Sequence, residues 1–130
     1  MKIENIKFKA KRLDGKGWVE GSLIRSTVGV KERAYIVDSF SSMSDYSVVG
    51  VDPSTVCQFT GLKDSNGVDI YLGDIVEFKI PISSKAKKGV IVWADNLSAL
   101  VLKDVLDDDW TYFYKGYEFQ IIGNVFDKEK

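Results

Sequence analysis

Polar and apolar residues alternate in short runs along this chain, with turn residues between runs at a spacing of about 8–12 residues. The clearest run is Ile75-Val76-Glu77-Phe78-Lys79-Ile80, where Val76, Phe78 and Ile80 share one side and Glu77 and Lys79 the other. A period of two marks a half-buried strand, because successive side chains point to opposite faces of a sheet. Gly73-Asp74 opens the run as a turn, and Pro81 closes it because proline has no amide donor for a ladder. Upstream, Asn66-Gly67 predicts a two-residue hairpin turn of type I′. Both central residues of such a turn need positive φ, which asparagine tolerates and glycine takes freely. Downstream, a loop at 83–88 leads into a strand Gly89-Val90-Ile91-Val92-Trp93. Val76, Phe78, Ile80, Val90 and either Val92 or Ile91 are expected in one core.

The same reading extends to both ends. Ile3, Ile6 and Phe8 sit among lysines, with Lys7 and Lys9 flanking Phe8 in strand-like alternation; the turn Asp14-Gly15-Lys16-Gly17 follows, and Trp18-Val19-Glu20-Gly21-Ser22-Leu23-Ile24 completes an N-terminal hairpin. Residues 26–34 read as a loop leading to Tyr35-Ile36-Val37. Residues 39–47 hold five serines in nine positions, a stretch with little to bury, and read as an exposed connection. Val48-Val49-Gly50-Val51 resumes extended structure, Pro53 keeps Asp52 out of the helical region, and 53–56 forms a short turn. Residues 97–106 fit two periods, strand or helix; their shortness and β-branched neighbours favour strand. Trp110-Thr111-Tyr112-Phe113-Tyr114 and 117–126 add the last strands. The prediction is one mostly β domain over 1–130, all-β or β with minor α, with antiparallel strands. An N-terminal hairpin part at about 1–50 packs on a part at about 56–126 that forms a small SH3-like barrel or rolled sheet from about residue 70 onward.

Composition narrows the function classes. At 130 residues and 45% hydrophobic content the chain can bury a core without disulfides or metals. Eighteen basic residues face 19 acidic ones, so the surface as a whole is not built to wrap a polyanion, although a local basic patch stays open. One cysteine, Cys57, rules out an intrachain disulfide and fits a reducing compartment. Residues 1–12 show no basic-then-apolar leader, and no apolar run reaches the roughly 20 residues of a spanning helix. The cytoplasm is the expected location, with no membrane partner. Histidine is missing altogether, which removes the imidazole that usually activates serine and cysteine nucleophiles and often ligates zinc. No catalytic, cofactor-binding or metal-binding residue is assigned, and the chain is read as no enzyme.

The remaining candidates are weighed against plainer roles. Asp64-Ser65-Asn66-Gly67-Val68-Asp69 superficially resembles a calcium loop, but the twelfth position from Asp64 is Ile75, which is no ligand, so a hairpin turn is the better reading. Asp64, Asp69 and Asp74 are ordinary turn residues, and Asp107-Asp108-Asp109 reads as a solvated loop. Lys85, Lys87 and Lys88 form the one concentrated basic run, between Phe78 and Trp93, and are the candidate contacts for nucleic acid. Their plainer reading is a soluble hairpin tip over a core holding Phe78 and Trp93. The aromatic run Trp110, Tyr112, Phe113, Tyr114, Tyr117 and Phe119 is too dense for one core, so Trp110, Tyr112 and Tyr114 are the candidate interface, with a homo-oligomer expected. Asn66, Gly67 and Gly73 are structural turn residues, and Cys57 reads as a small buried hydrophobe.

Gln58-Phe59-Thr60-Gly61-Leu62-Lys63-Asp64, Asn66-Gly67, Ile70-Tyr71 and Gly73-Asp74-Ile75-Val76 together resemble the central signature of the YopX-like family of phage and prophage proteins. Ile6-Lys7-Phe8-Lys9-Ala10 with Trp18-Val19-Glu20-Gly21 resembles that family's opening segment, and Ile122-Gly123-Asn124-Val125-Phe126 its closing one. Lys11 stands where an aromatic residue is frequent and Cys57 where a small or polar one is usual, and the tail after Phe126 is short. The resemblance implies a mostly β, partly barrel-like fold encoded by a phage or prophage, working in a bacterial cytoplasm and self-associating. It brings no activity, cofactor or catalytic residue with it. A phage or host protein is a possible partner, and nucleic acid is the alternative one.

Overall fold

The computed structural model describes residues 2–27, 29, 31–38, 47–79, 85–106, 110–112 and 118–127, and of Tyr112 the backbone only. The chain divides into two compact units, Met1–Phe59 and Thr60–Lys130. Among the described residues, eleven strands and two single-turn 3-10 segments make a mostly β protein with antiparallel strand pairs.

The first unit holds β1 (Phe8–Lys11), β2 (Trp18–Ser26), β3 (Arg33–Asp38) and β4 (Val48–Val51), in sheet order β4-β3-β2-β1. The expected N-terminal hairpin is β1–β2, closed by the Arg12 N–H donating to the Gly17 carbonyl at 2.8 Å. Alternation puts Ala10, Val19, Ala34, Ile36 and Val51 on one face, all buried, with Phe8, Leu23, Val49 and Val56 packed against them. This sheet curls. The Leu13 N–H donates to Gly50 at 3.1 Å and the Asp52 N–H to Lys11 at 2.9 Å, so the end of β1 meets the last strand. Gly21 permits the bend: a Cβ there would overlap the Val37 carbonyl oxygen. Pro53–Thr55 forms the expected short turn, with Asp52 capping it by accepting the Ser54 N–H at 3.0 Å. Of the serine-rich stretch, residues 39–46 lie outside the described residues.

β5 (Cys57–Lys63) pairs with β1 at its start and leads on into β6 (Asp69–Tyr71). The rest of the second unit is one five-stranded sheet of β7 (Asp74–Lys79), β8 (Ala86–Ala94), β9 (Ala99–Asp104), β10 (Trp110–Tyr112) and β11 (Glu118–Asn124), in order β10-β9-β8-β7-β11. Among the described residues the sheet has two ends, so it does not close into a barrel. Its core is Ile70, Val76, Phe78, Ile91, Leu102 and Phe119. Phe78 and Phe119 face each other across β7 and β11, with ring centroids 6.3 Å apart.

Residues 99–104 are strand, not helix. Ile91 is the core residue of its run, while Val90 and Val92 are half-buried on the other face, because Val76 pairs with Gly89 and so sets the parity of β8. Gly89 also makes room for Phe78: a Cβ there would lie 3.2 Å from its ring. Trp93 is half exposed and not in the core. Ile80 and Pro81 lie outside the described residues. At the hairpin, Gly67 has φ +80°, but Asn66 is not at positive φ, so the turn is not type I′. The Gly67 N–H donates to Asp64 at 3.0 Å and the Asp64 N–H to Val68 at 2.8 Å, a type I turn completed by a left-handed glycine. Asp64 decides this geometry, since its carboxylate accepts the Asn66 and Val68 N–H groups and holds the turn in that form.

Candidate binding surfaces

The carboxylates near the family-like segment are bound into the scaffold. Asp64 is buried, and besides the two turn amides its second oxygen accepts the Ile121 N–H at 3.3 Å, 57 residues along the chain. Ser65 adds to this clasp by donating to the Phe119 carbonyl from both its amide, at 2.8 Å, and its hydroxyl, at 3.0 Å. Asp74, 1% exposed, accepts the Tyr71 N–H at 2.8 Å and the Asn124 side-chain amide at 3.0 Å. Gly73, at φ +90°, donates to Ile91 and accepts from Val125, so it ties the β6–β7 turn to β8 and to the end of β11. Asp69 pairs with Lys63 at 2.7 Å. A carboxylate that accepts several fixed donors is a structural anchor. Among the described residues no group of three or more metal-ligating side chains converges. Cys57 is buried, with its sulfur 3.2 Å from the Thr55 carbonyl. Asp107, Asp108 and Asp109 lie outside the described residues.

Lys85, Lys87 and Lys88 are all exposed, but they do not sit together on a loop. β8 begins at Ala86, so Lys87 and Lys88 are consecutive strand residues and point to opposite faces. Lys88 stands opposite Glu77 in the ladder and Lys87 opposite Phe78, whose ring is buried and unable to stack on a base. A cleft of about 390 Å³ beside them is bounded by Ala86, Lys87, Lys88, Asp104, Val105 and Leu106. It therefore brings Asp104, an anion, to the same place as the lysines.

Trp110 lies on β10, the strand at one end of the sheet, opposite Lys103, and is 50% exposed. With Leu97, Val101 and Thr111 it borders a small cleft of about 110 Å³. Tyr112 continues the strand opposite Val101. Tyr114 lies outside the described residues.

A second basic row lies outside the candidate residues that the sequence singles out. Lys7, Lys9 and Lys11 recur at every second position and so share one face of the first unit. The Lys7 ammonium lies 4.6 Å from the Phe59 ring centre, and Lys9 and Lys11 lie 4.7 and 5.5 Å from that of Trp18. All three lysines are half-buried, with their stems covering aromatic surface, and Glu20 stands opposite Lys9. The period-two spacing was the available signal. Nearby, Arg12 holds Asp14 at 2.8 Å; that hydrogen bond, helped by the Lys16 N–H, lowers the Asp14 carboxyl to about 2 and raises Arg12. Ser54 lowers Asp52 in the same way, through its hydroxyl and its amide.

No helix among the described residues is long and apolar enough to cross a membrane. A protein-family model described as YopX protein matches residues 7–130. No curated protein matches the chain.

Proposed function

The chain belongs to the YopX family, and from that premise we propose that it is a non-enzymatic phage or prophage accessory protein of the bacterial cytoplasm that acts through protein–protein contacts and self-associates. The observation that carries this reading is Trp110, half exposed on the terminal strand β10 beside an apolar cleft. Among the described residues β10 pairs with β9 alone, and an end strand offers main-chain donors and acceptors to a second chain. Two copies of β10 paired antiparallel about a two-fold axis through Thr111 would set Trp110 of one against Tyr112 of the other, a self-complementary arrangement. Each half-covered indole has roughly 100 Å² left to bury, about 2–3 kcal/mol, and a symmetric dimer gains it twice. The non-enzymatic part rests on the clasped carboxylates Asp64, Asp69 and Asp74 and on a sequence without histidine.

Nucleic-acid binding through Lys85, Lys87 and Lys88 is the alternative, and it loses ground because Lys87 and Lys88 face opposite ways and Asp104 shares their cleft. Light scattering behind size exclusion tests the proposal. The parent should be a homo-oligomer at high micromolar concentration, and Trp110→Ser should shift it at least a hundredfold toward monomer. A parent that stays monomeric, or an oligomer indifferent to Trp110→Ser, would overturn it. So would duplex DNA binding that survives 200 mM salt, on the order of physiological screening, and is lost when the three lysines become serine.

A further inference from the structure

We infer that the first unit carries a binding site for a small organic anion with a flat apolar body, of the aromatic carboxylate or sulfonate class. The site is a groove of about 540 Å³ lined by Leu13, Ala34, Tyr35, Val51 and Pro53, with Lys31, Glu32, Arg33 and Asp52 also along it. That volume lies inside the range of roughly 300–1,000 Å³ typical of small-molecule sites, which combine an apolar lining with a few polar groups. The floor is fixed by the fold. Ala34 and Val51 are partners across β3 and β4 and are 4% and 1% exposed, so their side chains turn inward to the core and their backbone borders the groove. Leu13 forms a wall. It is held by its amide on the Gly50 carbonyl, yet it is 71% exposed, so a ligand's apolar body would cover surface that is now wet.

The charges select the sign of the ligand. Glu32 is already matched, because Arg25 donates to its carboxylate at 2.7 Å. The Asp52 carboxylate is turned to the Ser54 amide and hydroxyl, at 3.0 and 2.8 Å. Lys31 and Arg33 have no ion pair among the described residues, and both are exposed at the groove. The guanidinium of Arg33 is a planar fork suited to two oxygens of one carboxylate or sulfonate, and Lys31 adds a point charge beside it. Tyr35 is two positions from Arg33 on the same strand face, so its ring lies where the apolar body of such a ligand would rest. Anion at Lys31 and Arg33, body on Leu13 and Tyr35: the two chemistries meet on one face of the strand pair.

The probe is anilinonaphthalene sulfonate, which has an anionic group on an apolar aromatic body, with phenylnaphthylamine as its uncharged counterpart. Titrated into the full chain, the sulfonate should show saturable one-site fluorescence enhancement, and amide shifts in NMR spectra should centre on Ala34, Tyr35 and Val51. The double variant Lys31→Gln, Arg33→Gln should weaken it at least tenfold while leaving the uncharged dye unchanged; both residues are exposed, so the fold is not at stake. Leu13→Ser should weaken both dyes. Because such dyes also bind apolar interfaces, Trp110→Ser serves as the control and should leave the affinity as it was, whatever it does to self-association. Absence of saturable binding, equal affinity in the double variant, or loss of binding in Trp110→Ser alone would each overturn the inference.

Discussion

Asp64 is the residue whose replacement tests the architecture of the second unit most directly. One of its oxygens accepts the Asn66 and Val68 amides, both at 2.9 Å, and the other accepts the Ile121 amide at 3.3 Å. Hydrogen bonds to a charged acceptor contribute about 1.5–3 kcal/mol each, but an amide that water can reach recovers much of that when the acceptor is removed. Asn66 and Val68 are exposed, so each should cost only about 0.5–1 kcal/mol. Ile121 sits against the core and beside the bulge in β11, and its amide should cost about 1–2 kcal/mol. Asp64→Ala should therefore destabilise the unit by about 2–4 kcal/mol. Asp64→Asn can keep the oxygen that serves the turn but turns an amide donor toward Ile121, for a loss of about 1–2 kcal/mol. Urea unfolding followed by fluorescence is the assay. Because the two units need not unfold together, it is best run in a Trp18→Phe background, where Trp93 and Trp110 report on the second unit alone. The Ala variant should lower the midpoint on the order of 1–3 M at unchanged slope. An Ala variant within about 1 kcal/mol of the parent, or an Asn variant as unstable as Ala, would refute the clasp.

In the first unit, Gly21→Ala would drive a methyl into the Val37 carbonyl and should cost about 3 kcal/mol or more, or leave the unit unfolded; an Ala variant that melts with the parent would show that the curl does not depend on this close approach. Asp14 has its carboxyl lowered from 3.8 to about 2, chiefly by Arg12. A lowered carboxyl contributes stability above its unfolded value and loses it as the pH falls through the folded one, here between about 4 and 2. Carboxyl NMR should give a midpoint near 2 that returns toward 3.8 in Arg12→Gln, and an unmoved midpoint would remove Arg12 as the cause.

What was legible in the sequence was local. Val76 and Phe78 alternate with charges and form the core face of β7, and Pro53 with Asp52 makes the short turn that their chemistry demands. What was not legible depended on partners far along the chain. Val90, Ile91 and Val92 are three β-branched residues in a row, equally fit for either face, and only the pairing of Val76 with Gly89 turns Ile91 inward. Asn66-Gly67 suggests its own turn type, yet Asp64, three residues before the glycine, takes the amides and imposes another. The role of Asp64 toward Ile121 is invisible locally, because 57 residues separate them.

The two lysine groups show why the density of charge misleads while its spacing informs. Lys85, Lys87 and Lys88 are close in sequence, and Gly89 suggests that the strand begins after them. But β7 runs on to Lys79, and its antiparallel neighbour must extend to match, so the ladder reaches back to Ala86. Drawn into the strand, Lys87 and Lys88 point to opposite faces, and the cleft that both border also holds Asp104. Lys7, Lys9 and Lys11 are no denser, yet the period of two sets all three on one face, where their ammonium groups meet Phe59 and Trp18. Affinity for a polyanion grows with the number of phosphates neutralised together, so charges that diverge do not add. The same period of two that builds the sheets thus decides which of this chain's charges can act in concert.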